Sequence, residues 1–147
     1  MRIKLLVVLA LVGLAPVAVS AHDHGDEHKA AIKAAVFDYF HGQGEASAER
    51  LNRAFAAESA TMVGVTRDRE GNEAIRAWKD MTEVLANWSA NDNPPGTERK
   101  GEILSMDIVD DRIAVVLFKS ADRFYDALTL VYIDDEWKII QKAFVLQ

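Results

Sequence analysis

Residues 125–142 carry the clearest structural pattern in the chain: Tyr125-Asp126-Ala127-Leu128-Thr129-Leu130-Val131-Tyr132-Ile133-Asp134-Asp135-Glu136-Trp137-Lys138-Ile139-Ile140-Gln141-Lys142. On both sides of the acidic triplet the side chains largely alternate between apolar and polar, which is the period of a β-strand. Asp134-Asp135-Glu136 has the length of a hairpin connection. The pattern predicts two antiparallel strands, Phe124 to Ile133 and Trp137 to Leu146.

The two-residue period extends upstream as far as Gly96. One strand is predicted over residues 103–109 and another from Ile113 to Lys119, with Asp110-Asp111 as the tight turn between them. Short connections place consecutive strands side by side in antiparallel orientation. We therefore expect a four-stranded meander in the C-terminal half.

The N-terminal half has helical periodicity. From Glu27 to His41 the apolar residues recur at spacings of three and four, as on one face of an amphipathic helix: Ala31, Ile32, Ala35, Val36, Tyr39 and Phe40. Gly42 and Gly44 are expected to end this helix. Ser47 is suited to cap a short second helix, whose apolar residues are Leu51, Ala54 and Phe55.

A strand and a third helix are predicted between these two halves. The strand spans Ala60 to Val65, and residues 68–72 form a polar turn. Helical spacing then predicts a third helix, ended by the prolines of residues 91–96, through Ala74, Ile75, Trp78, Met81, Leu85 and Trp88. Helices followed by an antiparallel sheet make the class α+β, and the absence of a linker or repeat in the sequence predicts one domain.

The first 21 residues have the composition of an export signal. Two basic residues precede an apolar run over residues 5–15, which is too short to span a bilayer because a spanning helix needs about 20 residues. Pro16 breaks the run, and small residues up to Ala21 suit cleavage there. With no cysteine after the run, a lipid anchor is excluded. An uncleaved membrane anchor is the alternative.

Cleavage after Ala21 divides the chain into three parts: a signal peptide (1–21), a tail rich in histidine and acidic residues (22–28), and a domain (29–147). Such a protein would be periplasmic or secreted, with no membrane contact once the signal is removed. An exported domain without cysteine suits a bacterial periplasm, where it would be stabilised by its core alone.

The tail His22-Asp23-His24-Gly25-Asp26-Glu27-His28 gathers imidazole and carboxylate groups, which suit Cu(II), Ni(II) or Zn(II). Cleavage after Ala21 would make His24 the third residue, and this resembles the amino-terminal copper- and nickel-binding motif. Copper or nickel binding by His22, His24 and His28 is one hypothesis. A hydrated tail preceding the first helix is the other.

The composition excludes several classes of protein. The chain has 17 Lys plus Arg against 23 Asp plus Glu, and its net charge of -6 argues against nucleic-acid binding, since phosphate affinity depends on Lys and Arg. Its lack of cysteine removes disulfides, thiolate metal sites and cysteine nucleophiles. The sequence also lacks a Gly-rich phosphate loop, a Gly-x-Ser-x-Gly elbow and paired helical histidines.

The hairpin at residues 125–142 resembles the nuclear transport factor 2-like superfamily and, more narrowly, its putative lumazine-binding group. Tyr39 and Phe40 at the end of the first helix, and Phe55 followed by Glu58-Ser59-Ala60, fit the same group. Ala127 departs from it, because the family usually has an aromatic residue at that position. The resemblance covers nearly the whole of residues 22–147.

The resemblance implies a cone-shaped fold, in which a highly curved antiparallel sheet wraps around three helices and encloses a cavity, commonly in a homodimer. It implies no particular chemistry. This fold, shared by SnoaL-like and ketosteroid isomerase-like proteins, hosts isomerases, dehydratases, cyclases and non-catalytic binders.

Two functions remain open for the cavity. In the first, it binds a small apolar or aromatic ligand, and the expected lining residues are Tyr39, Trp78, Met81, Trp88 and Asp126. In the second, the protein is a small isomerase- or dehydratase-like enzyme with Asp126 as base and Tyr39 as hydrogen-bond donor, since burial raises the pKa of a carboxyl group. The first is preferred because the sequence offers one plausible member of an acid–base pair. These residues could also be ordinary core, and Asp126 a structural acceptor.

Apolar residues occupy both faces of the predicted sheet: Val115, Leu117, Val131, Ile133, Ile139, Ile140 and Phe144. An exposed apolar face is normally covered by a partner, and a twofold homodimer is the commonest arrangement. Lys138 and Lys142, predicted on one strand face with Ile140 and Phe144, suit a dimer surface at least as well as a ligand site. We therefore expect a homodimer.

Overall fold

The computed structural model describes residues 21–121 and 123–147, without the side chains of residues 21–24. The elements follow in the order α1 (Ala21–Glu45), α2 (Ala48–Ala54), β1 (Thr61–Arg67), β2 (Glu73–Trp78), α3 (Met81–Ser89), β3 (Gly101–Val109), β4 (Ile113–Ser120), β5 (Phe124–Ile133) and β6 (Glu136–Leu146). The strands form a six-stranded sheet of order β2-β1-β6-β5-β4-β3. Helices packed on one curved sheet confirm the predicted α+β class.

The predicted meander is confirmed: β3 pairs with β4, β4 with β5 and β5 with β6, all antiparallel. Asp110 and Asp111 have φ angles of 55° and 50°, and Asp134 and Asp135 have φ angles of 50° and 61°. Two successive residues with positive φ are typical of type I′ turns, whose twist matches that of the strands. Aspartate adopts this conformation more readily than most residues.

One pair of strands is parallel, which the sequence did not indicate. β1 lies beside β6, with Thr61 opposite Gln141 and Gly64 opposite Phe144. β2 then returns antiparallel to β1 and forms an edge of the sheet. The parallel pairing is possible because the connection from β1 to β6 passes through α3 and the meander, so no hairpin constrains the direction of the two strands.

The prediction of a third helix from Ala74 to Trp88 is wrong in its first half, where the chain forms the edge strand β2. The apolar residues of this segment have a spacing that a helix would also show. Ile75 is nevertheless 79% exposed, so the spacing does not mark a buried helical face. Pairing with β1 decides the conformation instead.

Helix α3 begins at Met81 because Asp80 caps it. The Asp80 carboxylate accepts hydrogen bonds from the backbone amides of Thr82 at 2.9 Å and Glu83 at 3.4 Å. These amides belong to the first turn, where no helical carbonyl can accept from them. An aspartate followed three residues later by a glutamate is a signal in the sequence for this boundary.

Helix α1 passes through Gly42 and Gly44, which were expected to end it. Both glycines instead permit close approach of other segments. A Cβ atom at Gly42 would lie 3.0 Å from Cγ of Leu51, and one at Gly44 would lie 2.7 Å from the carbonyl oxygen of Gly96. α2 and the segment before β3 can therefore approach α1 this closely because Gly42 and Gly44 have no side chain.

The chain turns between α1 and α2 at Ala46 and Ser47. Ala46 has a φ of 53°, in the left-handed region, and ends α1. Ser47 caps α2 as predicted, with its hydroxyl accepting from the Arg50 amide at 3.4 Å. At the other end of α2, Phe55 forms an isolated parallel bridge with Ile139 of β6, which fixes the helix against the sheet.

The core lies between the helices and the inner face of the sheet. Alternate residues of β4, β5 and β6 point inward and pack against α1 and α2; the fully buried members include Ile32, Val36, Leu51, Val116, Phe118, Leu128, Leu130 and Ile139. The intervening residues form the outer face. On this outer face Val115, Leu117 and Ile133 are about half exposed, which agrees with the prediction that apolar residues occupy both faces of the sheet.

Within the described residues, none of the helices is both long and apolar enough to cross a bilayer. The predicted signal peptide lies outside the described residues, apart from the backbone of Ala21 at the start of α1.

Candidate ligand-binding pocket

A buried polar cluster joins α1 to the sheet. Asp126 is an inward residue of β5, and its Oδ2 atom accepts a hydrogen bond from the Tyr39 hydroxyl of α1 at 2.9 Å. Tyr39 and Asp126 are 1% and 2% exposed, respectively. The two residues that the sequence suggested as donor and base are therefore bonded to each other.

The third member of the cluster is Lys142 of β6. Its Nζ atom donates to Asp126 Oδ1 and lies 4.6 Å from the centre of the Phe144 ring and 5.4 Å from that of Tyr39. Lys142 is 4% exposed. A buried ammonium is stable only where a counter-charge and hydrogen bonds replace its water shell, and Asp126 supplies both.

Burial and pairing act in opposite directions on these groups. Desolvation lowers the pKa of Lys142, while the charge and hydrogen bond of Asp126 raise it. Desolvation raises the pKa of Tyr39 well above the usual value, and the neighbouring Asp126 carboxylate raises it further. Tyr39 is therefore a neutral hydrogen-bond donor at any physiological pH.

Lys142 is on the inner face because of a bulge. The β5–β6 register shifts between Thr129, opposite Gln141, and Leu130, opposite Ile139, so Ile140 is an extra residue of β6. In a regular strand, alternation would carry Lys142 to the face opposite Ile139. The prediction that Lys142 shares a strand face with Lys138 and Ile140 is wrong for this reason.

A pocket of about 560 Å³ opens beside this cluster. It lies between α1, α3 and the strands β1, β5 and β6, and its lining comprises Tyr39, Gln43, Met62, Trp78, Lys79, Asp80, Glu83, Val84, Asn87, Trp88, Phe124, Lys142 and Phe144. Aromatic rings are its main apolar walls. The Trp78 and Phe144 ring centres are 5.9 Å apart, and those of Tyr39 and Trp88 are 6.0 Å apart.

Gln43 of α1 and Asn87 of α3 are polar residues of the lining, and its charged residues lie in two places. Lys142 presents the buried ammonium at the sheet, whereas Lys79, Asp80 and Glu83 are exposed residues at and before the start of α3. A molecule in the pocket would thus meet aromatic faces, one buried cation and an exposed polar edge. Aromatic walls, together with polar groups that can fix the orientation of a ligand, are usual in small-molecule sites.

Some of the residues predicted from the sequence to form the site line the pocket, and others do not. Tyr39, Trp78 and Trp88 line the pocket, although Trp78 comes from the end of β2 rather than from a helix. Met81 is fully buried and lies outside the lining. Asp126 is not in the lining, and its carboxylate is bonded through one oxygen to Lys142 and through the other to Tyr39.

Sequence reasoning missed Phe124, Phe144 and the inward orientation of Lys142. The available signal was a lysine within an apolar strand, two residues before Phe144, which lies opposite the buried Asp126 on the neighbouring strand. A buried acid paired with a buried base on neighbouring strands would have predicted the cluster, but the bulge at Ile140 obscures the alternation.

The histidine tail is partly described. The backbone of residues 21–28 belongs to α1, and the side chains of His22 and His24 lie outside the described residues. His28 contacts the sheet: its Nδ1 atom accepts from Trp137 Nε1 at 3.0 Å, and its ring meets that of Tyr132 edge-on at 5.0 Å. No cluster of metal-binding residues occurs among the described side chains. Copper or nickel binding by the tail stays a prediction.

The sequence matches a family model over residues 27–145, and the family is described as "Putative lumazine-binding". The chain belongs to this family. Among curated proteins, none matches it in sequence.

Solved structures share the fold. A nuclear transport factor 2-like protein of unknown function from Silicibacter pomeroyi is 24% identical with a TM-score of 0.65, over 84% of this chain and 98% of that one. A similar protein from Shewanella baltica is 22% identical with a TM-score of 0.65, over 83% and 95%. A ketosteroid isomerase-like protein from Erwinia carotovora is 12% identical with a TM-score of 0.57, over 82% and 97%. These similarities establish the predicted nuclear transport factor 2-like fold.

Proposed function

We propose that the protein binds a small, flat aromatic molecule in the pocket beside Lys142. The observation that carries the proposal is the pocket itself: about 560 Å³ of space, walled by the rings of Tyr39, Trp78, Trp88 and Phe144. Sites for small molecules typically occupy roughly 300–1,000 Å³ and are lined mainly by apolar and aromatic groups. Flat aromatic ligands gain from stacked or edge-on contacts with such walls.

A pteridine fits this chemistry. The family description names lumazine, a flat heteroaromatic molecule with carbonyl oxygens. The Lys142 ammonium has three N–H donors, one of which is directed to Asp126, so a further donor is available for a carbonyl oxygen of the ligand. The rings of Trp78 and Trp88 offer faces for the heterocycle.

Binding is better supported than catalysis by Asp126. A general base must reach the proton that it removes, and Asp126 is not among the residues that line the pocket. Both of its oxygens already accept hydrogen bonds. In the isomerase- or dehydratase-like alternative, Asp126 would have to exchange these partners before it could accept a proton from a substrate.

Export to the periplasm is part of the proposal and rests on the sequence of residues 1–21. Amino-terminal sequencing of the protein from its own cells tests it, with His22 as the expected first residue. A mature chain that retains Met1 would contradict export by a cleaved signal.

A homodimer is also part of the proposal, with a second copy as the occupant of the outer face. An apolar groove of about 470 Å³ crosses this face, lined there by Val63, Val65, Ile75, Leu104, Leu117, Tyr125 and Val145. The residues that line this groove come from all six strands and present almost no polar surface. A second copy of the chain, related by a twofold axis, would bury this apolar surface away from water.

Native mass spectrometry of the protein purified from its own compartment tests the ligand proposal. We expect an additional mass on the folded protein, released on denaturation and absorbing in the near ultraviolet as a heteroaromatic compound. A retained lipid or sugar, or a protein that neither retains a ligand nor takes up added lumazine, would contradict the proposal.

A further inference from the structure

We propose that Lys142 captures the carbonyl group of an aromatic aldehyde or ketone as a covalent imine. The inference rests on the proposed function, since it assigns a reactive role to the buried amine of the same pocket. It differs from the Asp126-base alternative because the group that meets the ligand is an amine nucleophile.

The position of Lys142 sets it apart from the other lysines. Among the lysines that the structure describes, Lys142 is the buried one, and it still lines the pocket. Lys79 lines the same pocket but is exposed. An amine within an apolar site is a better nucleophile for carbonyl carbon than a hydrated ammonium, because it holds its proton less tightly and needs no water to be removed.

Asp126 provides a place for the proton that Lys142 must lose. The Lys142 ammonium donates to Asp126 Oδ1, so a proton can pass directly along this hydrogen bond. In buried surroundings a neutral amine beside a neutral carboxylic acid avoids the desolvation of two charges. Desolvation, which lowers the pKa of Lys142, is also the largest of the influences on that pKa. Tyr39 holds the other carboxyl oxygen in place.

The reaction balances without any further reagent. The Lys142 ammonium gives one proton to Asp126, and the nitrogen lone pair then forms a bond to the carbonyl carbon while the C=O π electrons move to oxygen. The two hydrogens left on nitrogen are transferred to that oxygen, the C–O bond breaks, and water leaves as the C=N bond forms. The third proton is shared between Asp126 and the imine nitrogen. Asp126 is thus a positioning residue and proton acceptor, whereas Lys142 makes the bond.

The aromatic walls determine which carbonyl compounds are suitable. A planar ring held between Trp78 and Trp88 would direct a substituent on its edge toward the sheet, where Lys142 and Phe144 lie. Aliphatic aldehydes lack this anchoring. The expected class is therefore a carbonyl group conjugated to a flat ring or ring system.

The test uses 6-formylpterin as the probe and 6-hydroxymethylpterin, which has the same ring but no carbonyl, as its matched control. The full mature protein is incubated with 6-formylpterin and sodium cyanoborohydride, which reduces an imine to a stable amine, and the modified residue is located by peptide mass spectrometry. Binding of both pterins is measured in parallel by equilibrium dialysis.

We expect modification at Lys142 to exceed that at Lys79 by about tenfold or more, despite the greater exposure of Lys79. Binding of both pterins with modification spread over the exposed lysines would overturn the imine and leave the proposed function intact. Failure of both pterins to bind, without modification of Lys142, would overturn both proposals.

Two variants test the roles of Lys142 and Asp126 in imine formation. Lys142→Arg retains a cation for Asp126 but cannot form an imine, so modification at position 142 should vanish while the exposed lysines are still modified to the same extent. Asp126→Asn should lower the maximal rate of Lys142 modification about tenfold, because the proton acceptor is lost, and should move the rate profile to lower pH, because the carboxylate that raises the pKa of Lys142 is removed. An unchanged pH profile in folded Asp126→Asn protein would remove Asp126 from the reaction.

Discussion

Lys142 of β6 donates a hydrogen bond to Asp126 of β5, and the two side chains are buried within the described chain while the lysine also lines the pocket. The pair therefore belongs both to the core and to the site. As part of the core it must remain paired, because an isolated buried charge is costly. As part of the site it leaves donors of the ammonium available to a ligand.

Removing the Asp126 charge should strongly destabilise the fold. In Asp126→Asn the Lys142 ammonium loses its counter-charge, and we expect the free energy of unfolding from urea denaturation to fall by about 3–5 kcal/mol. The double variant Asp126→Asn, Lys142→Met removes both charges and should recover much of this loss.

The loss of stability in Asp126→Asn should depend on pH. With no carboxylate nearby, the pKa of Lys142 in the folded state lies further below its unfolded value, so the unfolded state binds more protons and stability rises with pH. The deficit of Asp126→Asn should thus shrink as the pH becomes alkaline. A deficit that is small and independent of pH would show that the pair contributes little.

Gly64 leaves space for the Phe144 ring that forms a wall of the pocket. A Cβ atom at Gly64 would lie 2.1 Å from Phe144 Cε1, so the ring must move in Gly64→Ala. Phe144 contacts Trp78 and Phe124 on its pocket side. We expect pterin affinity in equilibrium dialysis to fall about tenfold, or roughly 1.4 kcal/mol.

The matched control is Gly25→Ala in α1, where an added Cβ atom meets nothing within 4 Å. It should bind pterin as the wild type does. Equal affinities for Gly64→Ala and wild type, in folded protein, would show that the Phe144 wall does not contact the ligand.

The sequence was sufficient to predict the meander, because the turns at Asp110-Asp111 and Asp134-Asp135 are specified by local chemistry. It was insufficient for β2, whose residues are nearly all exposed. With no buried face, a strand has no characteristic period, and its conformation depends on pairing with β1. The cap at Asp80 was the local evidence that the helix starts later.

The residues of the site were also only partly predictable from the sequence. Asp126 was identified because an acid in an apolar strand is expected to be buried, and Tyr39 because its hydroxyl could reach the cavity that the resemblance implies. The hydrogen bond between Tyr39 and Asp126 joins residues that are 87 positions apart, so it depends on how α1 packs on β5. The sequence placed Lys142 on one face with Lys138, Ile140 and Phe144, but the bulge at Ile140 reverses the alternation between Ile140 and Lys142, and such an insertion has no reliable sequence signal.

Asp38 should make stability depend on acidic pH. Its carboxylate accepts from Arg53 at 2.6 Å and from Arg50 at 3.1 Å, which joins α1 to α2. The hydrogen bond from Arg53 is the largest of the effects that lower the pKa of Asp38. Because the folded pKa lies below the unfolded one, this stabilisation is present at neutral pH and is lost as the pH falls through the folded value.

Asp38→Asn should therefore unfold at slightly lower urea concentration than wild type at pH 7, and the difference should narrow below about pH 4. Asp111→Asn, which changes the same charge in an exposed turn, is the control. A difference between Asp38→Asn and wild type that stays constant down to acid pH would contradict the role of this ion pair.

The outer face should mediate self-association through Leu117, which is 46% exposed and lines its groove. Leu117→Glu places a charge in this apolar surface, so sedimentation velocity should show monomers where the wild type shows dimers. Val109→Glu makes the same change at an exposed residue outside the groove and should remain dimeric. A wild-type protein that sediments as a monomer at micromolar concentration would contradict the dimer.

Ligand binding in the pocket is tested most directly by the three tryptophan indole N–H signals in a nitrogen-15 NMR spectrum, recorded as lumazine is added. Trp78 and Trp88 line the pocket, whereas Trp137 lies elsewhere, with its Nε1 atom donating to His28. We expect saturable shifts of the Trp78 and Trp88 signals and a Trp137 signal that stays in place. Indole signals that do not move at saturating lumazine, or a shift confined to Trp137, would contradict binding in this pocket.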